Sequence, residues 1–359
     1  MKTILLPAST PLSYAVVAPL WARLADDPRI ELVISARHGG GELAERCLGR
    51  PVRHVHRAFT RWIKADLALC PGFHYRRGRA RLRVQMFHGV SFKNYAVSDD
   101  LAAFQRWMVI GEYHRRKLVR AGIAAEDDPR VLRVGMPKTD ALLGSRAAGK
   151  ELVVELGLDP ALPTVAYAPT RSGSAGSSLE GFGLDALDAL RALPINVLVK
   201  LHDRSDRRFR AELTRDYAAE IEARHRGGRV RVVREHDVVP VLLAADVLLS
   251  DLSSVANEFL LRDAPVLYLE TPQHEAKLRS SAQRRFGDAD EASFEWMREA
   301  GDVVRAADAV VPAVERALSD PSRRSAQRRE RAALLFYNPG SATPIALREL
   351  YRLLELEPP

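Results

Sequence analysis

Cysteine and long apolar runs are what this 359-residue sequence has least of. Its two cysteines, Cys47 and Cys70, give neither metal-site spacing nor a disulfide framework, so we expect both to be buried apolar side chains. No continuous apolar stretch is long enough to cross a lipid bilayer. The N-terminal MKTILLPAST is broken by Pro7 before any cleavage pattern, which favours a first buried strand of a cytoplasmic protein over a signal peptide.

Charge is distributed unevenly along the chain. The net charge is +8, but residues 1–150 hold 26 Lys and Arg against 13 Asp and Glu, while the remainder holds 28 against 33. The first part therefore carries +13 and the rest −5. This asymmetry predicts that the first part meets something anionic, whether nucleic acid, an acidic membrane surface or a phosphate-rich substrate.

Short apolar runs alternate with helical patterns along the whole chain. An apolar content of 47% is typical of a globular protein, and the length fits two domains. Strands are predicted at KTILLPA, IELVISA, ADLALCPG, LRVQMFHG, RWMVIG, PTVAYAPT, INVLVKLH, RVRVVRE, DVLLSD and APVLYLE, and RVLRVGMPKTDALL adds a further strand and a turn. Because helical patterns separate most of them, we predict an α/β fold with parallel, doubly wound sheets.

The pattern also predicts how the chain divides. A polar, glycine-containing stretch at Gly144–Lys150 separates two Rossmann-like domains, residues 1–148 and residues 149–325. We expect residues 326–359 to form a C-terminal helical segment that packs back towards the N-terminal domain. Open α/β sheets bind ligands at the carboxyl ends of their strands, so two such domains predict a cleft between them.

Polar residues follow several of the predicted strands, where a sheet offers its ligand-binding edge. They are His88 and Gly89 after VQMF, Arg171 after VAYAPT, Lys200 and His202 within VLVKLH, and Asp251, Ser253 and Ser254 after DVLLS.

Ser253 and Ser254 precede the helical pattern VANEFLL. Their hydroxyls can cap that helix, and the free amides at a helix start also attract anions. A plain cap and a phosphate site are both open at this point. Glu258 lies four or five positions into the helix, within reach of a ribose whose phosphates sit at the helix start. A solvated helix charge is the alternative for Glu258, although its neighbours are mostly apolar.

His88 is the best candidate for acid–base chemistry, because histidine titrates near neutral pH and Gly89 lets a substrate approach closely. Lys93 supplies a nearby cation. A core histidine is the alternative. His202, with Lys200 and Arg204 nearby, could donate to phosphate oxygens or be structural. Arg171 precedes a Gly/Ser stretch and is either a phosphate clamp or a surface arginine.

The stretch HYRRGRARLR, which contains Arg76 and Arg83, is strongly basic. A solvated loop is the default interpretation, and contact with an acidic membrane surface is the functional one. Aromatic residues are not interleaved as a nucleic-acid stacking surface requires, so we expect no nucleic-acid partner.

Several of these stretches together resemble the CDP-glycerol glycerophosphotransferases of the teichoic-acid type. The similar segments are MFHGVSFK, VGMPKTDAL, YAPTR, VKLHD and DVLLSDLSSVANEFLLRDAPVLYL, with a weaker similarity at FYNPGSAT. The resemblance runs from about Leu67 to Leu269 and so covers most of the chain. Its specificity lies in the order and spacing of the segments.

The resemblance implies a GT-B fold with an N-terminal acceptor domain and a C-terminal donor domain. It implies transfer of an alditol phosphate from a CDP-linked donor to a hydroxyl of a cell-envelope glycan or lipid-linked acceptor, with release of CMP. It implies no cofactor, no metal and a peripheral position at the inner face of the bacterial membrane. The residues carried over are His88 and His202 for catalysis, Arg171, Lys200, Asp251, Ser253, Ser254 and Glu258 for the donor, and Gly89 and Lys93 for the acceptor.

The chain departs from the family pattern at four places, and two other functions compete with transfer. Phe87, Lys138, Asp203 and Leu252 replace a Trp, an Arg, a Pro and a Tyr, which leaves the identity of the donor open. A GT-B glycosyltransferase or a UDP-GlcNAc 2-epimerase would use a similar phosphate site. A non-enzymatic protein that binds an anionic polymer would instead show salt-dependent binding without nucleotide affinity.

Overall fold

The computed structural model describes residues 1–8, 10–37, 40–72, 78–90, 99–173, 176–206, 213–286 and 295–359. They form two compact units. Unit 1 comprises the described parts of residues 1–143 together with residues 333–359, and unit 2 comprises those of residues 144–332.

Unit 1 is built on a seven-stranded parallel sheet. Its elements are β1 (Lys2–Pro7), α1 (Pro11–Leu24), β2 (Ile30–Ala36), α2 (Gly40–Leu48), β3 (Arg53–His56), β4 (Lys64–Cys70), β5 (Arg79–Met86), β6 (Arg106–Val109), α3 (Glu112–Arg120), β7 (Val131–Arg133) and the C-terminal α12 (Ala342–Leu354). The strand order is β3-β2-β1-β4-β5-β6-β7. Strands such as β1 read as continuous apolar runs because a parallel sheet is buried on both faces.

The start of α12 is bound to the segment that follows β7. The two carboxylate oxygens of Asp140 accept hydrogen bonds from the backbone amides of Ala342, at 3.0 Å, and Thr343, at 2.7 Å. The side-chain amide of Asn338 donates to the carbonyl of Arg133 at 2.8 Å. The conspicuous segments VGMPKTD and FYNPGSAT are therefore one structural unit, in which an acidic side chain satisfies the free amides of a helix start.

Unit 2 is built on a six-stranded parallel sheet in the order β10-β9-β8-β11-β12-β13. Its elements are α4 (Ala147–Glu155), β8 (Thr164–Tyr167), α5 (Gly183–Leu190), β9 (Asn196–Val199), α6 (Tyr217–Arg224), β10 (Val230–Val232), α7 (Val239–Ala244), β11 (Val247–Ser250), α8 (Ser254–Phe259), β12 (Val266–Leu269), α9 (Pro272–Phe286), β13 (Asp302–Val304), α10 (Val310–Ser319) and α11 (Ser325–Leu335), which crosses the boundary between the units.

The central strands of unit 2 end at one level. Tyr167 on β8 pairs with Val199 on β9 and with Leu249 on β11, so the segments that follow these three strands emerge side by side. The predicted α/β class with parallel sheets is confirmed in both units.

Two details differ from the sequence-based expectations. The helix predicted across SVANEFLLRD is α-helical only to Phe259 and continues as a 3₁₀ turn to Arg262. Neither cysteine forms a disulfide, but Cys47 is partly exposed, so the expectation of a buried side chain holds only for Cys70. Within the described residues, every helix is too short or too polar to cross a bilayer.

Candidate functional site

His88 lies just beyond the carboxyl end of β5, half-buried, with its Nδ1 atom 2.8 Å from the backbone carbonyl oxygen of Pro71. A carbonyl can only accept, so Nδ1 carries the proton and donates. The neutral imidazole then has its lone pair on Nε2. This arrangement fixes the tautomer that a general base needs.

The residue before His88 is a core residue. Phe87 is buried, and its ring meets the buried ring of His114 on α3 edge-on, with the centroids 3.8 Å apart. The aromatic position therefore anchors the end of β5 in the core of unit 1. Gly89 is half-buried beside His88, whereas Lys93, Arg76 and Arg77 lie outside the described residues.

Asp251, at the carboxyl end of β11, is wholly buried and binds the loop that follows β8. Its Oδ2 accepts from the backbone amide of Thr170 at 2.5 Å and its Oδ1 from that of Ser178 at 2.8 Å. Two amide donors compensate the buried carboxylate. Each of its oxygens is engaged with the loop, so the geometry gives Asp251 a positioning role, and direct contact with a donor stays a prediction.

Ser253 is the N-cap of α8. Its Oγ accepts from the amide of Ala256 at 3.2 Å and lies 3.0 Å from the Oγ of Ser250. The Ser250 hydroxyl donates its proton to the carbonyl of Ala168 at 2.6 Å, so the Ser253 hydroxyl donates to Ser250. The Ser253 hydroxyl therefore acts as a helix cap, as one of the two interpretations of the sequence predicted.

The backbone of the same turn remains available for an anion. Ser254, the first residue of α8, is partly exposed. Within the described part of the chain, the amides of Ser254 and Val255 donate no hydrogen bond. Such amides are partial positive charges at a helix start. Capping by the hydroxyl and anion binding by the backbone are thus compatible at one turn.

Glu258 is buried, with 1% of its surface exposed. A solvated helix charge is therefore excluded. Burial of a carboxylate is costly unless the protein compensates it, so Glu258 is held for a structural or binding reason. Its contact with a ribose stays a prediction.

The ends of β8 and β9 are tied together. The backbone amide of Ser205 donates to the carbonyl of His202 at 2.7 Å, and the Ser205 Oγ accepts from the amide of Ser172 at 2.6 Å. These two bonds place the half-buried His202 and the partly exposed Arg171 on linked turns. Lys200 is buried beside them and donates from Nζ to the carbonyl of Leu201 at 3.0 Å.

The structure thus brings Arg171, Lys200, His202 and the turn at Ser253 to one edge of the unit 2 sheet. Among the described residues, the guanidinium of Arg171 makes no hydrogen bond and no ion pair. Three basic side chains and free helix-start amides at one edge suit a phosphate-bearing ligand.

Several residues that hold this edge were not predicted from the sequence. Thr271, after β12, donates a hydrogen bond to the carbonyl of Gly176 and also accepts one from the amide of His274 at 3.2 Å. Gly176 has a φ of +92°, and a Cβ there would overlap the backbone of His274. The contact between Thr271 and Gly176 joins residues 95 positions apart in the chain, and no local sequence pattern predicts it.

Glu270, the residue directly after β12, has a buried carboxylate. Glu270 pairs with Arg298 at 2.7 Å and with Arg305 at 2.8 Å. Burial raises its pKa above the ordinary value, and the two guanidiniums oppose that shift. Within the described residues, no group of three or more His, Cys, Asp or Glu side chains is arranged to hold a metal ion.

Comparison with known proteins identifies the family. The sequence profile of the CDP-glycerol:poly(glycerophosphate) glycerophosphotransferases matches residues 73–333, which include His88, Arg171 and Ser253. The chain belongs to this family. A search of curated protein sequences finds no match.

Solved structures resemble this glycerophosphotransferase-family chain over nearly its full length. The wall teichoic acid polymerase TagF matches with a TM-score of 0.70 at 13% identity, over 99% of this chain and 89% of that one. UDP-GlcNAc 2-epimerase from Neisseria meningitidis matches with a TM-score of 0.60 at 13% identity, over 98% and 100%. A putative UDP-N-acetylglucosamine 2-epimerase from Listeria monocytogenes gives 0.62 at 13%, over 100% and 98%. These likenesses confirm the GT-B class of the fold.

Proposed function

We propose that this protein transfers a glycerol-phosphate-like group from a CDP-linked alditol to a hydroxyl of a cell-envelope glycan or lipid-linked acceptor, and releases CMP. The observation that carries the proposal is the family match across the segments that place Arg171, Lys200, His202 and Ser253 at one sheet edge. The TagF polymerase was also soaked with CDPG, which supports a CDP-linked donor.

The chemistry follows from the charges. The acceptor oxygen attacks the phosphorus that carries the alditol, the bond from this phosphorus to the CMP oxygen breaks, and CMP leaves. His88 takes the hydroxyl proton on Nε2, because its Nδ1 proton is held by Pro71. Arg171, Lys200 and His202, with the amides of Ser254 and Val255, neutralise the charge that grows on the departing phosphate.

The other predicted residues take supporting roles in this proposal. Glu258 binds the donor ribose, and Asp251 and the Ser253 hydroxyl hold the loop and the helix start around the phosphates. Gly89 and Lys93 serve the acceptor in the N-terminal domain. Contact between the Arg76–Arg83 stretch and acidic lipids would keep the enzyme at the inner face of the cell membrane.

A donor screen tests the assignment. Thermal shifts with CDP, UDP and GDP identify the base, and release of CMP or UDP from CDP-glycerol, CDP-ribitol and UDP-sugars identifies the reaction. We expect stabilisation by CDP and release of CMP only with an acceptor. Binding of UDP alone, with turnover of a UDP-sugar, would replace the proposal with a glycosyltransferase or epimerase.

The same assay tests the role of metal ions. We propose that the basic side chains and helix-start amides are sufficient, so transfer should persist in excess EDTA. Loss of transfer in EDTA, with recovery on addition of a divalent cation, would show that a metal ion shares the charge.

A further inference from the structure

A short 3₁₀ helix, Arg57–Trp62, joins β3 to β4 and has its aromatic side chains on the outside. Thr60 is 1% exposed and shares a hydrogen bond with Ser35 on β2, whereas Phe59 is 54% exposed and Trp62 is 58% exposed. Large apolar side chains seldom sit in water as a pair while a threonine occupies the interior. The segment is thus anchored with its apolar side outward.

The two exposed rings are held against each other. Phe59 and Trp62 stack with their centroids 5.4 Å apart and their planes at 26°. The guanidinium of Arg61 lies 4.2 Å from the Trp62 ring. The Phe59 ring covers a face of the indole on which a nucleic-acid base or a sugar ring would stack, and the Arg61 guanidinium also lies over the indole. The surface that faces outward therefore consists of apolar ring edges with cationic side chains around them.

The sequence segment around these rings carries only basic charges. Residues 46–65 contain six Lys and Arg and no Asp or Glu. Arg53 and Arg50 are neutralised by Glu31 and Asp26. The exposed Arg57, Arg61 and Lys64, in contrast, form no ion pair with any described residue. The uncompensated cations are therefore those nearest to the exposed rings.

We propose that the surface formed by Arg57, Phe59, Arg61, Trp62 and Lys64 docks onto a lipid bilayer that contains anionic headgroups. Tryptophan and phenylalanine edges suit the boundary between headgroups and acyl chains, and each cation near an anionic surface adds attraction. Both requirements meet on this surface, where stacked rings and unpaired cations alternate over six residues. It borders the described part of the Arg76–Arg83 stretch, because Lys64 on β4 is the register partner of Arg79 on β5, and it does not depend on the transfer reaction.

Vesicle binding of the full-length protein tests the proposal. The measurement is co-sedimentation with phosphatidylcholine vesicles, with and without phosphatidylglycerol, together with the tryptophan emission spectrum. Trp62 is the tryptophan most exposed to solvent, so docking should shift the emission to shorter wavelength. We expect binding only to the phosphatidylglycerol vesicles and weaker binding at high salt.

Two double variants separate the apolar and the charged parts. Phe59→Ser with Trp62→Ser should weaken binding at least tenfold and abolish the emission shift. Arg57→Ala with Arg61→Ala should weaken it about thirtyfold, from the usual attraction per cation. Val154→Ser removes a residue that is also 58% exposed, and Arg226→Ala with Arg229→Ala removes two exposed arginines of unit 2, so both serve as matched controls.

The outcomes decide between partners. Wild-type melting temperatures in the double variants, with vesicle binding lost only in those two, support the surface. Equal losses in the controls would show a general charge effect and overturn it. Vesicle binding that is unchanged in both double variants, or binding of single-stranded RNA in place of vesicles, would also overturn it.

Discussion

The backbone amide of Thr170 donates to the buried carboxylate of Asp251 at 2.5 Å, so the end of β11 holds the loop after β8. The neighbouring residue, Arg171, offers a guanidinium that the described protein leaves unbound. A backbone amide held by a hydrogen bond and an available cation in successive residues suit a site for a charged ligand.

Asp251→Asn should loosen this loop. The amide nitrogen of asparagine cannot accept from Thr170 or Ser178, so one buried N–H loses its acceptor and the free energy of unfolding falls by about 2 kcal/mol. Urea unfolding measures the loss, and hydrogen exchange at the two amides locates it. Asp185→Asn, on the exposed side of α5, is the control. Unchanged exchange at both amides would contradict the positioning role.

His88→Ala should abolish transfer and leave CDP binding nearly intact. The loss of a general base costs roughly 10²–10⁴-fold in rate. His88→Asn is the matched variant, because its side-chain amide can still donate to Pro71 but cannot take a proton. Turnover and calorimetric CDP titration are measured together. Full activity of His88→Asn, or loss of CDP binding in either variant, would show that the histidine has another role.

Arg171→Ala should weaken CDP binding by about 10- to 100-fold, the usual effect of one charge-assisted hydrogen bond to phosphate. The free energy of unfolding should not change, because the Arg171 guanidinium makes no hydrogen bond or ion pair with any described residue. Calorimetry gives the affinity and a thermal melt gives the stability. Arg191→Ala removes another exposed arginine of unit 2 and should alter neither. Equal CDP affinity in wild type and Arg171→Ala would remove Arg171 from the site.

Glu112, at the start of α3, should make the stability of unit 1 depend on pH. Hydrogen bonds from Arg115, then from Tyr337 and Arg116, lower its pKa from 4.5 to about 2. A lowered pKa gives a contribution that is present above pH 4.5 and is lost as the pH falls towards 2. Glu112→Gln should therefore destabilise the protein at pH 7 by about 1–2 kcal/mol, and the difference should shrink below pH 4.

Glu126, the second carboxylate that pairs with Arg115, provides the control for the Glu112 experiment. Glu126 pairs with the same guanidinium at 2.7 Å, but 70% of its side chain is exposed. Exposed ion pairs contribute little, so Glu126→Gln should cost less than 1 kcal/mol. Thermal melts of both variants from pH 7 to pH 3 make the comparison. A constant difference between Glu112→Gln and wild type across this range would rule out the titration.

The strands that could be predicted from the sequence are those that contain enough apolar residues to be recognised as buried runs. β1 and β11 lie inside their sheets and read as apolar runs, whereas the missed β3 and β13 are short edge strands with polar residues. An edge strand pairs on one side only and needs less apolar sequence. The short edge strand β10 was nevertheless predicted, because RVRVVRE contains three valines. The apolar pattern of a segment, and not its length or position in the sheet alone, therefore decides whether a strand can be predicted.

The candidate site was predictable to a similar degree. Strand ends predicted where Arg171, His202 and Ser253 would lie, and the sheet order brings these ends together. The engagement of Asp251 was not predictable, because its two amide donors lie more than 70 positions away in the chain. Sequence position shows that a side chain is near an edge, but folding decides whether it faces a ligand or the protein's own backbone.

The Asp140 carboxylate accepts hydrogen bonds from the backbone amides of Ala342 and Thr343, so unit 1 can be completed only after the C-terminal helix has been synthesised. A nascent chain emerging from the ribosome carries all seven strands of unit 1 long before the segment that completes it. Unit 1 therefore remains incomplete while about 200 further residues are synthesised. A chaperone that binds the incomplete unit during this interval would raise the yield of native protein.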